Sequence, residues 1–202
     1  MNRGEIKQAV RDEMQLDPGL ISDAERNRFI NYWLDDVASW GLLEKSITLP
    51  VLAGNNPITL PNNLIHLAEV IYEGRDLVPT SMRVSGEGNP VAYALEGRQL
   101  HLLPLPSVAG EVRLLYSYRP EHLTSDVDIP EVPNDWMLLG VLYTVFRAHK
   151  KNGNTAASRE YQQEYEMKKG EKVREMLQHY NSRVRVMSDS SQPLNWIDRL
   201  RL

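Results

Sequence analysis

The spacing of apolar residues changes twice along this 202-residue chain, and that change constrains the fold more than any other feature. Near both ends, apolar residues recur every three or four positions, which is the pattern of amphipathic helices. Between about Ser46 and Arg119 they alternate with polar residues, which is the pattern of half-buried strands. Because helices and strands are segregated and do not alternate, a parallel nucleotide-binding sheet is not expected.

The N-terminal segment contains two predicted helices. Apolar residues four positions apart predict a short helix over Asn2 to Gln15. Ser22 and Glu25 have the spacing of a capping box, in which each side chain accepts a hydrogen bond from the other residue's backbone. The second helix follows this box and ends near Gly41. Its predicted core-facing residues are Phe29, Ile30, Trp33, Leu34, Val37 and Trp40.

The middle segment consists of short alternating runs that are separated by glycine-containing turns. Several short strands at this spacing predict a compact antiparallel sheet or a small sandwich. The apolar positions of these runs include Ile47, Leu49, Val51, Ile58, Leu60, Leu100, Leu102, Val112, Leu114, Tyr116 and Tyr118.

Helical spacing returns after Pro133. Asn134 is a suitable N-cap for a third helix, and Thr155 for a fourth. The apolar side of the third helix is predicted to comprise Leu138, Leu139, Leu142, Val145, Phe146 and His149. The fourth helix is predicted from Thr155 to about Arg183, a rise of roughly 40 Å at about 1.5 Å per residue. Because a small domain is narrower than this, one end should project or pack on a neighbour.

Together these patterns predict an α+β fold. Two N-terminal and two C-terminal helices form a helical bundle, a small antiparallel β domain is inserted between them, and an extended arm ends the chain. The predicted units are the N-terminal helix pair (1–45), the β domain (46–129), the C-terminal helix pair (130–186) and the arm (187–202).

The arm cannot form a core of its own, yet it ends in large apolar residues. Ser188 to Pro193 is polar and suited to a spacer. Leaving the apolar end in water costs roughly 25 cal/mol per Å² relative to burial. The arm could therefore fold back on its own domain or dock on a partner. The predicted contact residues are Leu194, Trp196, Ile197, Arg199, Leu200, Arg201 and Leu202.

Composition narrows the range of partners. The formal net charge of −4 argues against a protein that holds nucleic acid through clustered cations. The densest basic run, Lys168 to Arg174, is interleaved with glutamates, which favours a solvated helix face. No apolar run approaches the roughly 20 residues that span a bilayer, so no membrane association is expected. The absence of cysteine fits folding in a cytoplasm.

Motifs for catalysis or cofactor binding are not found. The five histidines lack the spacing of metal ligands, and no phosphate-binding loop or nucleophile elbow is present. We therefore predict no catalytic residue, no cofactor and no metal. One alternative is a cell-wall (peptidoglycan) hydrolase that uses a loop carboxylate such as Asp126 or Glu131. Another is a nucleic-acid-binding regulator that uses the last two helices.

Three passages, in this order, resemble the head-to-tail adaptor (connector, or head-completion) proteins of tailed bacteriophages. Residues 21–31 (ISDAERNRFIN) are similar to the opening helix motif, with Phe29 at a tyrosine-like position. Residues 51–61 (VLAGNNPITLP) are similar to a strand–turn–strand motif that carries Ala-Gly and ends in Leu-Pro. Residues 129–136 (IPEVPNDW) resemble the segment that opens the closing helix pair, and Arg147-Ala148 fits its ending.

This resemblance implies a structural virion protein that is not an enzyme. Such adaptors assemble as a ring under the portal, commonly of twelve copies, complete the DNA-filled head and offer a docking platform to the next tail component or nozzle. The implied partners are the portal ring, neighbouring copies and that tail protein. DNA would pass through the channel during ejection without specific binding. The arm would reach the portal, and the protein would be made in the host cytoplasm.

Overall fold

The computed structural model describes residues 1–14, 21–54, 57–81 and 86–187, with side chains described up to residue 178. The predicted order of helices, strands and helices is confirmed. The helices are α1 (Arg3–Met14), α2 (Asp23–Ser39), α3 (Met137–Lys151) and α4 (Thr155–Met187). The strands are β1 (Glu44–Val51), β2 (Ile58–Thr59), β3 (Leu64–Tyr72), β4 (Arg75–Asp76), β5 (Val78–Pro79), β6 (Glu87–Gly88), β7 (Ala92–Glu96), β8 (Gln99–Leu103), β9 (Leu105–Pro106) and β10 (Gly110–Tyr118).

The strands form two four-stranded sheets and a small two-stranded one. The first sheet has the order β1-β10-β3-β4 and is antiparallel throughout. The second has the order β2-β8-β7-β5, and the third pairs β6 with β9. The predicted antiparallel pairing is confirmed for the longer strands, whereas two short pairs, β5–β7 and β6–β9, are parallel. Each of these pairs joins only two residues per strand, and the chain between its partners is long enough to return in the same direction.

Strand β10 shows where the alternating pattern holds and where it fails. Val112 and Leu114 are buried as predicted. Ser117, which alternation places on the outer face, is also buried between the buried Tyr116 and Tyr118. The register against β3 shifts on both sides of Ser117, between Leu115 and Tyr116 and again after Ser117. Such irregularities interrupt the two-residue period of side-chain direction, so simple alternation fails there.

The capping box at the start of α2 is confirmed. The Ser22 side chain accepts a hydrogen bond from the Glu25 backbone, and the Glu25 carboxylate accepts one from the Ser22 backbone at 3.0 Å. The predicted apolar face of α2 is buried from Phe29 to Val37. Trp40, at the end of the helix, is half-buried and lies 5.2 Å from the Trp136 ring.

Helix α3 contacts each of the other three helices. Trp33 of α2 lies so close to Gly140 of α3 that a Cβ atom there would be 2.8 Å from the indole ring. Leu138 was predicted in the apolar stripe of α3, but its side chain is 51% exposed. The helix buries Met137 and Val141 instead, because its buried face is wider than one stripe.

Two predicted N-caps were wrong. A 3₁₀ turn (Asn134–Trp136) precedes α3, and Asn134 begins that turn without capping the helix through its side chain. The last helix begins at Thr155 as expected, but the side-chain cap is the preceding residue, since Asn154 Oδ1 accepts a hydrogen bond from the Ala157 backbone at 3.2 Å. Gly153 adopts φ of 75°, which lets the chain turn sharply between α3 and α4.

One contiguous core joins the helices to the sheets, and it extends from Ile6 in α1 to Tyr165 in α4. The strand region begins at Glu44, two residues before the predicted boundary of the β domain. The division of the chain into units stays a prediction.

Candidate partner-binding surfaces

The predicted contact residues of the arm, from Leu194 to Leu202, lie outside the described residues. The structure therefore does not place them. It does show how α4, the helix that leads to the arm, is anchored to the rest of the protein.

The first anchor of α4 is a half-buried carboxylate on α2, that of Asp36. Asp36 Oδ2 accepts hydrogen bonds from the Tyr165 hydroxyl, from Lys169 Nζ at 3.2 Å and from Trp40 Nε1 at 3.2 Å. Burial of the Tyr165 ring, together with its bond to Asp36, raises the pKa of the hydroxyl, so it stays protonated and donates. Lys169 Nζ also lies 5.0 Å from the centre of the Trp40 ring. This carboxylate fixes the middle of α4 against the end of α2.

Further anchors lie on both sides of Asp36. Tyr161 donates to Glu13 of α1 at 3.1 Å and stacks on His149, with ring centres 5.5 Å apart. Burial lowers the pKa of His149, and the ring lies on the side of α3 that was predicted to be apolar. Lys172 Nζ forms an ion pair with Asp135 at 2.7 Å, and Met176 packs against the core. The helix continues for eleven residues beyond Met176 to Met187, a rise of about 16 Å.

These anchors correct the interpretation of the basic run on α4. Lys168 pairs with Glu164 four residues earlier, at 3.7 Å, as expected for a solvated face. Lys169 instead binds Asp36 of α2. Lys172 binds Asp135 before α3, and it also pairs with Glu175 three residues along its own helix at 3.0 Å. Sequence spacing could not distinguish these lysines, because their partners are more than 30 residues away in the chain.

A second surface is the loop between β10 and α3. Asp126 lies between two cations of α1, with Oδ2 at 2.8 Å from Lys7 Nζ and Oδ1 at 3.0 Å from Arg3 Nη2. Arg3 also donates to the carbonyls of Leu123 and Thr124 at 2.8 and 3.0 Å. The loop is thereby joined to the first helix.

The same contacts assign structural roles to the two carboxylates considered for hydrolysis. The hydrogen bond from Lys7 and the nearby Arg3 lower the pKa of Asp126, whereas a general acid needs a raised pKa. Glu131 accepts from Lys45 of β1 at 2.9 Å, and its backbone carbonyl accepts from the Tyr118 hydroxyl at 2.7 Å. Both carboxylates therefore join separate elements of the fold.

Two sets of exposed aliphatic residues were missed by sequence reasoning. Val127 and Ile129 of the β10–α3 loop are 76% and 66% exposed. Leu52 and Val108 are exposed beyond the paired ends of β1 and β10, where Val51 is opposite Gly110. Neither set follows a helix or strand period, so the only sequence signal was an aliphatic residue in a polar loop.

Among the described residues, no group of histidine, aspartate and glutamate side chains is arranged to hold a metal ion. The described helices also include no segment with the length and apolar character of a membrane span.

Comparison with curated proteins finds no match to this chain. A family model does match, that of the SU10 adaptor proteins, over residues 1–191. The match includes every helix and strand described above and stops within the arm. Phage adaptors of this kind are structural components of the head–tail junction of the virion, where they contact portal and tail proteins. The chain therefore belongs to the SU10 adaptor protein family, a family of phage head-to-tail adaptors.

Proposed function

We propose that this protein assembles as a ring of about twelve copies beneath the portal of a tailed phage. The ring completes the DNA-filled head, forms part of the channel through which the genome is ejected and presents the surface on which the next tail protein docks. The observation that carries this proposal is the family match over residues 1–191.

The charge of the chain fits passage of DNA without specific binding. At −4 per copy, a ring of about twelve copies carries about −48, and such a channel releases phosphates instead of retaining them. Repulsion between copies also means that specific contacts must hold the ring together. We accordingly expect the isolated protein to be a monomer or a weak oligomer, and the portal to act as the template for the ring.

In this proposal the arm, residues 187–202, docks on the portal. Helix α4 supports that role because it is anchored through Asp36 and Lys172 and leads directly into the arm. Trp196 is expected to contribute most, since tryptophan and arginine are enriched among the residues that dominate interface energies.

Electron cryo-microscopy of the protein mixed with its portal tests the assembly. A closed ring on the portal is expected, and a stable ring in sedimentation of the protein alone would contradict the template role.

Portal co-sedimentation tests the arm. Deletion of residues 187–202 should abolish portal binding, and Trp196→Ala should weaken it by at least about tenfold. Asn195→Ala is the matched control, because it removes a neighbouring polar side chain and should have little effect. Unchanged binding after the deletion would show that the arm is not the docking element.

A further inference from the structure

Two arginine side chains, on α2 and α3, lie against aromatic rings. The Arg147 guanidinium lies 5.9 Å from the centre of each of three rings, those of Phe29, Tyr32 and Tyr143. The Arg28 guanidinium lies 5.7 Å from the centre of the Phe29 ring. A cation within about 6 Å of an aromatic ring centre is attracted by the π electrons of the ring. We call these five residues the arginine–aromatic patch.

The two guanidinium groups of this patch have no acidic partner within the part of the chain that the structure describes. Arg28 and Arg147 form no ion pair and donate no hydrogen bond there. A guanidinium group is always charged and carries five N–H donors in a planar fork, which fits a carboxylate in bidentate fashion. The aromatic rings attract the charge but supply no carboxylate, so the donors remain available to a partner.

The carboxylates that flank the patch along α2 are already bound to other residues. Glu25 pairs with Lys151 of α3. Asp35 Oδ1 lies 3.0 Å from His122 Nε2, and Asp36 is the anchor of α4 described above. Because these acids are engaged elsewhere, direct contacts within the described chain do not neutralise the positive charge of the patch.

The patch is open to a partner. Tyr32 is 40% exposed and Arg28 is also exposed, whereas Tyr143 and Arg147 are half-buried. Tyrosine and arginine are enriched among the residues that dominate the energy of protein interfaces. The half-buried side chains are already restrained by their neighbours, so they lose little further entropy on binding.

A protein carboxylate fits this patch better than the phosphates of DNA. Burial raises the pKa of the Tyr143 hydroxyl, Arg147 lowers it, and Asp36 and Asp35 are close enough to raise it further. DNA presents a continuous row of phosphates, and those beside the one bound to Arg147 would meet the negative charge of these two carboxylates. A single aspartate or glutamate on a protein would meet the guanidinium without that repulsion.

The patch is remote from the beginning of the arm. Tyr143 packs on Tyr165 of α4, with ring centres 5.4 Å apart, and α4 then continues to Met187. The rise from Tyr165 to Met187 is about 33 Å at about 1.5 Å per residue. A surface so far from the arm is available to a protein other than the portal, which the arm is proposed to contact.

We propose that the arginine–aromatic patch is the docking site for the next tail protein, and that this protein supplies an aspartate or glutamate to Arg147. The carboxylate accepts two parallel hydrogen bonds from the guanidinium fork, and apolar side chains beside it pack on the Tyr32 ring. This inference rests on the proposed function, because it assigns a place on this chain to the tail-docking surface.

Photo-cross-linking in assembled phage particles tests this contact. The adaptor carries p-benzoyl-phenylalanine in place of Tyr32, and mass spectrometry identifies the peptides joined to residue 32 after irradiation. The expected product contains a peptide of the tail protein with an aspartate or glutamate beside the cross-linked residue. The matched control places the same photoreactive residue at Met167, which is 57% exposed on α4 and lies outside the patch.

Charge exchange tests the role of Arg147. Arg147→Gln should reduce the cross-link yield at least about tenfold, and Arg147→Lys should reduce it less, because lysine keeps the charge but lacks the planar fork. Arg147→Glu combined with lysine in place of the identified acid should restore the cross-link. A purely structural role for Arg147 predicts no such restoration. The Tm of Arg147→Lys should stay within about 2–4 °C of the original value, since no ion pair within the described chain is lost.

The outcomes separate this inference from the proposed function. Cross-links to DNA, to the portal or to a second copy, a yield no higher than that of the Met167 control, or a yield that Arg147→Gln leaves unchanged would overturn the docking site. An adaptor ring at the head–tail junction of the same particles, imaged by electron cryo-microscopy, would then leave the proposed function standing. Particles that lack the adaptor at this junction would overturn both.

Discussion

Replacement of Gly140 by alanine tests the tightest contact within the helical part of the fold. A Cβ atom at this position would be 2.8, 2.9 and 3.0 Å from three carbon atoms of the Trp33 indole. Carbon atoms in favourable contact are about 3.5–4.0 Å apart, so α3 and α2 would have to separate by several tenths of an ångström. Trp33 is fully buried, and its ring cannot move into solvent.

Two opposing effects determine the free energy of unfolding of this variant. Overpacking of a core destabilises a protein by about 1–3 kcal/mol. Because the added Cβ atom would contact three ring atoms at once, the cost for Gly140→Ala should lie near the upper end of that range. Alanine in place of glycine within a helix gains about 1 kcal/mol. The net loss should be about 2 kcal/mol. For a chain of this size that corresponds to a fall in Tm of about 4–8 °C.

The assay is thermal unfolding followed by circular dichroism, and the chain offers a matched control. Gly170 lies within α4, and an added Cβ atom would meet nothing within 4 Å. Gly170→Ala should therefore stabilise the protein by about 0.5–1 kcal/mol through helix propensity alone. The two alanine substitutions should thus shift Tm in opposite directions.

A double-mutant cycle identifies the cause. In a Trp33→Phe background the ring is smaller, and the cost of Gly140→Ala should fall by about 1 kcal/mol or more. Among the described residues the Trp33 Nε1–H has no hydrogen-bond partner, so the Phe variant breaks no hydrogen bond there. A rise in Tm for Gly140→Ala equal to that for Gly170→Ala, or no coupling to Trp33, would refute the reasoning.

Three further predictions concern the attachment of α2 and α4. Ser22→Ala removes the capping box and should cost about 1 kcal/mol in urea unfolding, whereas Ser22→Asp should retain most of the stability. The Arg26 guanidinium lowers the pKa of Asp23 to about 2, and contacts with Lys151 and the Ser22 backbone lower that of Glu25 to about 2. At pH values above their ordinary pKa, these ionised carboxylates stabilise the folded state. They lose this contribution as they are protonated, so Tm should fall as the pH drops from about 4 to about 2. A Tm that is constant over this pH range would contradict the predicted role of these two carboxylates. Asp36→Ala should speed amide hydrogen exchange in the middle of α4, because the buried Tyr165 hydroxyl and the Lys169 ammonium lose their shared acceptor. Unchanged exchange in α4 would show that this carboxylate is not an anchor.

Local sequence patterns were enough to predict the order of elements and most of the buried faces. The capping box of Ser22 and Glu25 and the helical period of α2 are local patterns, so they could be predicted without knowledge of the fold. The same holds for the first half of β10, where Val112 and Leu114 alternate with outward-facing residues.

Features that depend on distant residues could not be predicted from local patterns, because they arise when separate elements pack together. The register shifts that bury Ser117 arise from pairing with β3, and the exposure of Leu138 depends on how α3 packs between the other helices. The need for glycine at residue 140 follows from the position of Trp33. Spacing along a single segment records which residues share a face, but it does not record which element covers that face.

The candidate surfaces also differ in whether they could be predicted from the sequence. Composition singled out the contact residues of the arm, from Leu194 to Leu202, because an apolar end after a long helix is visible in the sequence alone. The exposed Val127 and Ile129 of the β10–α3 loop were not predicted, since they lie in an acidic loop without periodicity. The loop that carries them is joined to Arg3, more than 100 residues earlier, by its side chain to Asp126 and by its backbone to Asp128. A contact over that sequence distance exists only once the chain has folded.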